Sequence, residues 1–380
     1  MPSPATPNHV AASHAWIDQP DQLAERLSRW QAPPLLALDT EFIRERTWYP
    51  QLALVQMTIP GQPVLLVDPT ADGVAELLQP LLRNPEVTKL MHSASEDVQA
   101  LLRGCESTPG PLFDTQIAAS LAGLGAGMGY QRLVESVLGV NLPKSETRSD
   151  WLRRPLSPAQ LEYAADDVEY LHALHAELQT RLRELGREAW LAEDCARLLQ
   201  QSAQDVPDPN PHLALRGAQY LDAAAQALLV RLLRWREVQA RAGDRPRGWI
   251  LDNELAVALA RKPPTDQRAF NTLLDAQPKS PRRLRDELWN KVSMPLTADE
   301  REIPLVSQPD AAQKKRLRAL QDAVAVVAAE LQLPDSVLAS RRALEALLDA
   351  GADAEQWPRS LQGWRRPLLE PALLPVLRDS

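Results

Sequence analysis

Leu35 to Phe42 reads LLALDTEF, an apolar run that ends on two carboxylates, Asp39 and Glu41, two residues apart. Strand side chains alternate with a period of two, so a strand here puts both acids on one side of its end, where α/β sheets open onto their ligand crevice. Two acids on one side repel each other unless something positive sits between them. A divalent cation with oxygen ligands, Mg²⁺ or Mn²⁺, is the usual answer. Taken alone, the pair reads as readily as a solvated strand end.

Short apolar runs alternate with turn signals from Leu35 to about Met91. Leu52 to Ile59 reads as a strand, Pro60-Gly61-Gln62 as a turn and Val64 to Val67 as the next strand of a hairpin. Helical spacing predicts a helix over Asp72 to Arg83, and Val87 to Met91 is again a strand. Mostly helical text follows: Ser95 to Leu102, Phe113 to Leu121, Tyr130 to Leu138, and one long run from Ser157 to Leu185. Such an order predicts an α/β domain with a mixed sheet.

At 380 residues the chain calls for two or three domains. DVPDPNPH, from Asp205, carries three prolines that cannot continue a helix and marks a boundary. A second break runs from Ser293 to Asp310, and the remaining text is helical. WILDNELAVALA, from Trp249, resembles SVLASRRALEALL, from Ser336, and Trp289 and Trp364 each follow beside basic residues, which suggests a duplication.

Hydrophobic content of 44% suits a globular protein, with no apolar run of bilayer-spanning length. The N-terminal text has no basic or apolar leader pattern, so a soluble cytoplasmic protein is expected. Two distant cysteines, Cys105 and Cys195, offer neither a disulfide framework nor a zinc site and are expected to be buried as small hydrophobes. A net charge of -8 argues against coating nucleic acid by bulk charge. It leaves room for a local basic groove and for a site built from several carboxylates.

A two-metal phosphodiester-cleaving centre needs about four carboxylates converging from different elements. LEYAADDVEYL, from Leu161, supplies one on a helix whose start is marked by Ser157, Pro158 and Gln160 as N-cap, first residue and capping-box partner. Leu161, Ala164, Val168, Leu171 and Leu178 define its buried face. Tyr163 and Asp167, spaced i to i+4, share the edge of that face, while Asp166 is expected to point toward solvent. MHSASEDVQAL, from Met91, supplies Asp97 in the first turns of a helix that Ser95 is expected to cap. Helix-dipole electrostatics alone would also account for an aspartate there. His92 reads as a functional or a packed histidine. The glycine-rich GLGAGMGY, from Gly123, lacks the Lys-Ser/Thr ending of a phosphate loop and reads as a flexible connection.

LDTEF, HSASEDV and EYAADDVEYL, in this order, resemble the three motifs of the DEDD superfamily of 3′ to 5′ exonucleases. The tyrosine four residues before the last aspartate matches the branch with Tyr in the third motif. TEFIRERTWYPQLALVQ, FDTQIA from Phe113 and KSETRSDWLRRPLS from Lys144 are similar to the ribonuclease D family in particular. Leu213 to Val292 resembles the helicase-and-RNase-D C-terminal (HRDC) domain, and the last segment a diverged second copy.

The resemblance implies a ribonuclease H-like α/β catalytic domain with a mixed sheet over residues 1–205, followed by two small all-α HRDC-type domains at 213–293 and 296–380. It implies that Asp39, Glu41, Asp97 and Asp167 hold two Mg²⁺ or Mn²⁺ ions and that Tyr163 orients the attacking water, while Phe42, His92, Lys144 and Arg148 are candidate substrate contacts, Lys144 because the matching family segment lies near the site. All five catalytic positions are filled. The implied activity is metal-dependent exoribonuclease trimming of precursor tRNA 3′ ends and other structured RNAs, releasing nucleoside 5′-monophosphates. A monomer with RNA as its partner is expected, with neither a membrane nor an obligate protein partner. A DNA 3′ to 5′ exonuclease of the proofreading kind and a non-catalytic RNA-binding scaffold are the alternatives.

Basic residues supply candidate phosphate contacts: Arg44 and Arg46, then Arg153 and Arg154 beside Lys144 and Arg148. Arg231, Arg234, Arg236, Arg241, Arg245 and Arg247, with Trp235, Trp249 and Trp289, suit an RNA platform, although tryptophans at helical spacing also suit a core.

Overall fold

The computed structural model describes residues 13–30, 33–143, 149–277, 282–351 and 357–378. Its chain forms two compact units, one of residues 1–43, 51–204 and 311–380 and one of residues 44–50 and 205–310.

The first unit is built on a six-stranded mixed sheet in the order β1-β4-β3-β2-β5-β6. Its strands are β1 (His14–Ile17), β2 (Leu35–Ile43), β3 (Gln51–Thr58), β4 (Val64–Val67), β5 (Thr88–Met91) and β6 (Leu112–Asp114). Leu36, Ala37 and Leu38 of β2 are buried, as the apolar run requires. Only β3 runs against its neighbours, because the tight Pro60-Gly61 turn forces an antiparallel hairpin. The other pairings, β1 with β4, β2 with β5 and β5 with β6, are parallel.

The interleaved helices are α1 (Pro20–Arg29), α2 (Val74–Arg83), α3 (Ser95–Gly104), α4 (Thr115–Leu121), α5 (Tyr130–Leu138), α6 (Pro158–Glu169), α7 (Leu171–Glu184) and α8 (Glu188–Ala203). Three expectations change. Phe113 belongs to β6 and Asp114 is the N-cap of α4, accepting from the amides of Gln116 and Ile117, so the helix starts later than its apolar spacing suggests. Ala94, with no side-chain cap, precedes α3, so Ser95 is its first residue. The run from Ser157 to Leu185 breaks at Tyr170 into α6 and α7. At the start of α6 the capping box of Ser157 and Gln160 forms as expected.

The second unit contains α9 (Ala223–Ala242), α10 (Arg247–Ile250), α11 (Asn253–Arg261), α12 (Gln267–Asp275), α13 (Arg285–Ser293) and α14 (Ala298–Arg301). Residues 44–50, which directly follow β2 in sequence, pack in this unit. Trp48 is buried with the guanidinium of Arg241 4.8 Å and that of Arg247 4.2 Å from its ring centre, and the amides of Trp48 and Tyr49 donate to Asp244 Oδ1.

Helices α15 (Ala311–Leu331), α16 (Asp335–Leu338), α17 (Arg341–Ala350) and α18 (Arg366–Arg378) belong to the first unit. Trp190 of α8 stacks on Trp364 with centroids 4.3 Å apart, and Arg365 bonds both oxygens of Asp194 at 2.6 and 2.8 Å. Gly363 sits at φ +65 against the Glu193 carboxylate, where any Cβ would collide.

The two halves of the suspected duplication share a backbone. Each has a single helical turn, an extended residue (Leu251 at φ -156, ψ 117; Ala339 at φ -148, ψ 121), a side-chain N-cap (Asp252; Ser340) and a second helix. Both cysteines are buried and free. Among the described residues no helix is long and apolar enough to cross a membrane.

Candidate active site

Strand β2 carries Asp39 and Glu41, both half-buried and opposite Gln56 and Leu54 of β3. Immediately beyond Glu41 the register slips, Phe42 facing Leu52, so that Ala53 is the extra residue of a bulge. Bulges concentrate beside active sites because they re-aim the strand end. Helix α3 delivers Asp97, 8% exposed, which accepts from the Thr40 hydroxyl at 2.5 Å. The chain turns from β5 into α3 through Ser93, held at φ 59, a sparsely populated region for a non-glycine residue. Asp114 Oδ2 fixes the start of that helix by accepting from the Ala94 amide at 2.9 Å, while its Oδ1 caps α4.

Helix α6 delivers Asp167 and Tyr163. The Tyr163 hydroxyl donates to the Asp167 carboxylate, and the ring is tilted over Trp151 at 6.0 Å. Beside them a cavity of about 180 Å³ is lined by Gln131, Leu142, Tyr163, Asp166 and Asp167. Asp166 is 4% exposed rather than solvent-facing. A single-helix wheel missed this because residues of other elements cover that side of α6.

Four acids from three elements therefore converge. Burial, then the charges of Asp97, Asp167 and Glu41, push the Asp39 carboxyl well above its ordinary range. Burial, then Asp167 and Asp97, raises Glu41 to about 9. Asp167 rises to about 7, mainly by burial, with the Tyr163 bond opposing. Asp97 rises to about 6, mainly by burial, with the Thr40 bond opposing. Burial and the neighbouring carboxylates also push the Tyr163 phenol upward, so it stays protonated at neutral pH.

This donor set fits a hard divalent cation, which prefers carboxylate oxygen and relieves the mutual repulsion. Among the described residues, no three His, Cys, Asp or Glu side chains are already gathered at chelating distance.

The substrate-contact candidates fare unevenly. Phe42 is half-buried against the core. His92 places Nδ1 2.9 Å from Thr115 Oγ1 and its ring edge-on to Tyr130, and burial lowers its pKa, so a neutral, packed imidazole results. Lys144 and Arg148 lie outside the described residues. Arg154 is structural, gripping both oxygens of Asp68 at 2.6 and 2.8 Å and the Ala53 carbonyl.

Much of the proposed arginine platform is also internal. Arg231 pairs with Glu300, Arg241 with Glu237 and Asp205, and Arg247 with Glu237, while Arg236 is buried against the Leu251 carbonyl. Trp235 is core and Trp289 packs on Phe270, whereas Trp249 is 54% exposed. Sequence reading missed Thr40, Asp114 and Tyr130. FDTQIA carries a cap signal at Asp114, an aspartate directly before a helix. Nothing local marks Tyr130, because its partners lie about forty residues away.

Comparison with known proteins places the chain in a family. Residues 14–183 match the family described as 3'-5' exonuclease, residues 225–289 the HRDC domain, and residues 312–373 the C-terminal HRDC domain of ribonuclease D. DEDD exonucleases depend on divalent metal. The chain is 52% identical to ribonuclease D of Xanthomonas oryzae pv. oryzae over 96% of its length and 99% of that protein. It is 33% identical to ribonuclease D of Escherichia coli, covering 97% of this chain and 99% of that one. Among solved structures, that of Escherichia coli RNase D, described as an exoribonuclease involved in structured RNA processing, superposes with a TM-score of 0.82 at 30% identity, covering 97% and 99% of the two chains. The order of the motif acids, the HRDC segments and the near full-length identity agree: the chain belongs to the ribonuclease D family of hydrolytic 3′ to 5′ exoribonucleases.

Proposed function

We propose that the chain trims the 3′ ends of precursor tRNA and other structured RNAs, releasing nucleoside 5′-monophosphates one at a time. Asp39, Glu41, Asp97 and Asp167 would hold two divalent ions, Mg²⁺ or Mn²⁺. Bound there, the metal supplies an activated water and charge stabilisation at the leaving 3′ oxygen. The observation that carries this reading is the convergence of four buried or half-buried carboxyl groups from β2, α3 and α6, with Asp97 bonded to Thr40 of β2 between Asp39 and Glu41.

The rest of the mechanism falls to protein groups. Tyr163, protonated and donating to Asp167, is unsuited to take a proton at neutral pH, so it positions the attacking water. Thr40 holds Asp97 in place through its hydroxyl. Glu41 and Asp39 share a strand end, which fixes their spacing by backbone geometry rather than by side-chain freedom.

The second unit would gather RNA through the exposed turn of Arg245 and Trp249, an aromatic face beside positive charge. HRDC domains bind nucleic acid, which supports this role. The domain boundaries at 1–205, 213–293 and 296–380 are proposed as evolutionary units. Action as a monomer in the cytoplasm completes the reading.

A 3′-extended tRNA and a matched DNA strand, each incubated with Mg²⁺ or Mn²⁺, test it. Mononucleotide release from the RNA, lost in Asp39→Ala, is expected. Faster digestion of the DNA, or undiminished release by Asp39→Ala, overturns it.

A further inference from the structure

The break between α6 and α7 has a chemical cause. In an unbroken helix the Tyr170 amide would donate to the Asp166 carbonyl, four residues back. Here a hydroxyl from elsewhere in the chain takes the place between them. Tyr130 Oη donates to the Asp166 carbonyl at 3.1 Å and accepts from the Tyr170 amide at 3.2 Å. A side chain inserted into the hydrogen-bond ladder is a recognised cause of helix breaks. Nothing else at this junction requires one: Asp166 to Leu171 contains neither proline nor glycine.

The insertion falls on the turn that matters for the site. Asp166 and Tyr170 flank Asp167, and the Tyr130 hydroxyl lies close enough to Asp167 and Asp39 to feel both charges. Yet it spends its own bonds on backbone groups rather than on the carboxylates. Its ring is braced edge-on by His92, 5.6 Å away. The glycine-rich connection explains how Tyr130 arrives: Gly123, Gly125 and Gly127 adopt positive φ, and Gln116 ties down the Met128 carbonyl at 3.1 Å, so α5 begins with Tyr130. The stretch that reads in sequence as a connection is thus a support for the third motif.

We propose that Tyr130 is a positioning residue, its hydroxyl inserted into the α6–α7 ladder to aim Asp167 at Asp39 and thereby set the affinity of the site for divalent metal. The proposal deepens the reading of Asp167 as a metal ligand and rests on it. Groups that support a metal ligand from behind typically change metal affinity by about 10- to 100-fold when removed.

Tyr130→Phe keeps the ring against His92 and removes only the inserted group. Calorimetric titration with Mn²⁺ is expected to show affinity about tenfold or more weaker, with kcat on RNA lowered and an unchanged circular dichroism spectrum. Unchanged Mn²⁺ affinity in the folded variant, even with a lower melting temperature, overturns the proposal, because a merely structural tyrosine would behave so. A second measurement needs no variant. Coupling between metal and junction is reciprocal, so Mg²⁺ added to the wild-type protein is expected to slow hydrogen exchange at the Tyr170 amide. Exchange there that is indifferent to Mg²⁺ counts against it. Failure of the wild type to bind Mn²⁺ at all would instead sink the metal-site reading on which the proposal stands.

Discussion

The Thr40 hydroxyl and Asp97 Oδ1 meet at 2.5 Å, joining the strand that carries Asp39 and Glu41 to the helix that carries the third acid. The bond holds the Asp97 pKa down against burial. Thr40→Val keeps the shape and removes the donor. Asp97 should then hold its proton more tightly, so the Mg²⁺ concentration for half-maximal activity should rise, more at pH 6.5 than at pH 8. A stability loss of about 1–2 kcal/mol in urea titration should accompany it, the usual cost of a buried polar group that loses its partner. An unchanged metal requirement at both pH values would show that Thr40 serves packing alone.

Metal binding should be coupled to pH in a definite direction. The folded carboxyls bind protons more tightly than ordinary ones: Glu41 rises from 4.5 to about 9, Asp167 from 3.8 to about 7, and Asp97 from 3.8 to about 6. Raised folded values give a contribution to stability that is complete below the ordinary values and lost as pH climbs through about 6 to 9. The metal-free protein should therefore lose melting temperature over that range. Mg²⁺ replaces the missing protons, so the increase in melting temperature on adding Mg²⁺ should grow from pH 6 to pH 9. Asp39→Asn should melt higher than wild type without metal at pH 8, since folding then no longer has to protonate or desolvate that carboxyl group. Scanning calorimetry at several pH values checks both, and a Mg²⁺ effect that shrinks with pH would contradict the electrostatic account.

The strand end, the capping box of α6, the order of the motifs and the break after Asp205 were legible in the sequence because each depends on neighbours within a few residues. Asp166 was not. Its wheel position gave solvent, and only the packing of elements distant in sequence buries it. The helix break at Tyr170 was invisible for the same reason, its cause being a hydroxyl forty residues upstream. The arginine run misled differently. Composition shows few acids nearby, but Glu237 within the run pairs with both Arg241 and Arg247, and Glu300 and Asp205 arrive through the fold to pair with Arg231 and Arg241. Residues 44–50 carry their own lesson: text continuous with the catalytic strand packs as part of the helical unit, because Trp48 finds its core there.

Asp194 and Arg365 join α8 to the C-terminal helical segment. Both side chains are largely buried, and Trp364 Nε1 donates to the same carboxylate at 3.2 Å. Breaking such a pair leaves a charge without compensation, which typically costs about 3–5 kcal/mol. Arg197, 3.4 Å from Asp194, should keep the loss near the lower end. Arg365→Leu should therefore destabilise by about 3 kcal/mol, and adding Asp194→Leu should recover part of the loss. Urea denaturation of the two variants measures this; a double variant less stable than Arg365→Leu would refute it.

Trp249 is the tryptophan of the second unit that the core leaves out, 54% exposed beside Arg245 and Gly248, which are also exposed. An indole in that position loses little by mutation in the free protein and much in an RNA complex if it stacks on a base. Stacking is worth about 1–3 kcal/mol per base, so Trp249→Ala should weaken RNA binding by about tenfold while leaving the melting temperature unchanged. Stacking and charge can be separated by salt. Trp249→Ala should preserve the slope of log affinity against log salt, because no phosphate contact is removed. Arg245→Ala should flatten that slope by about 0.7 to 0.9 if it removes one. Fluorescence anisotropy with a labelled 3′-extended tRNA over a range of KCl concentrations reads both quantities. Undiminished affinity for Trp249→Ala would remove this turn from the RNA-binding surface.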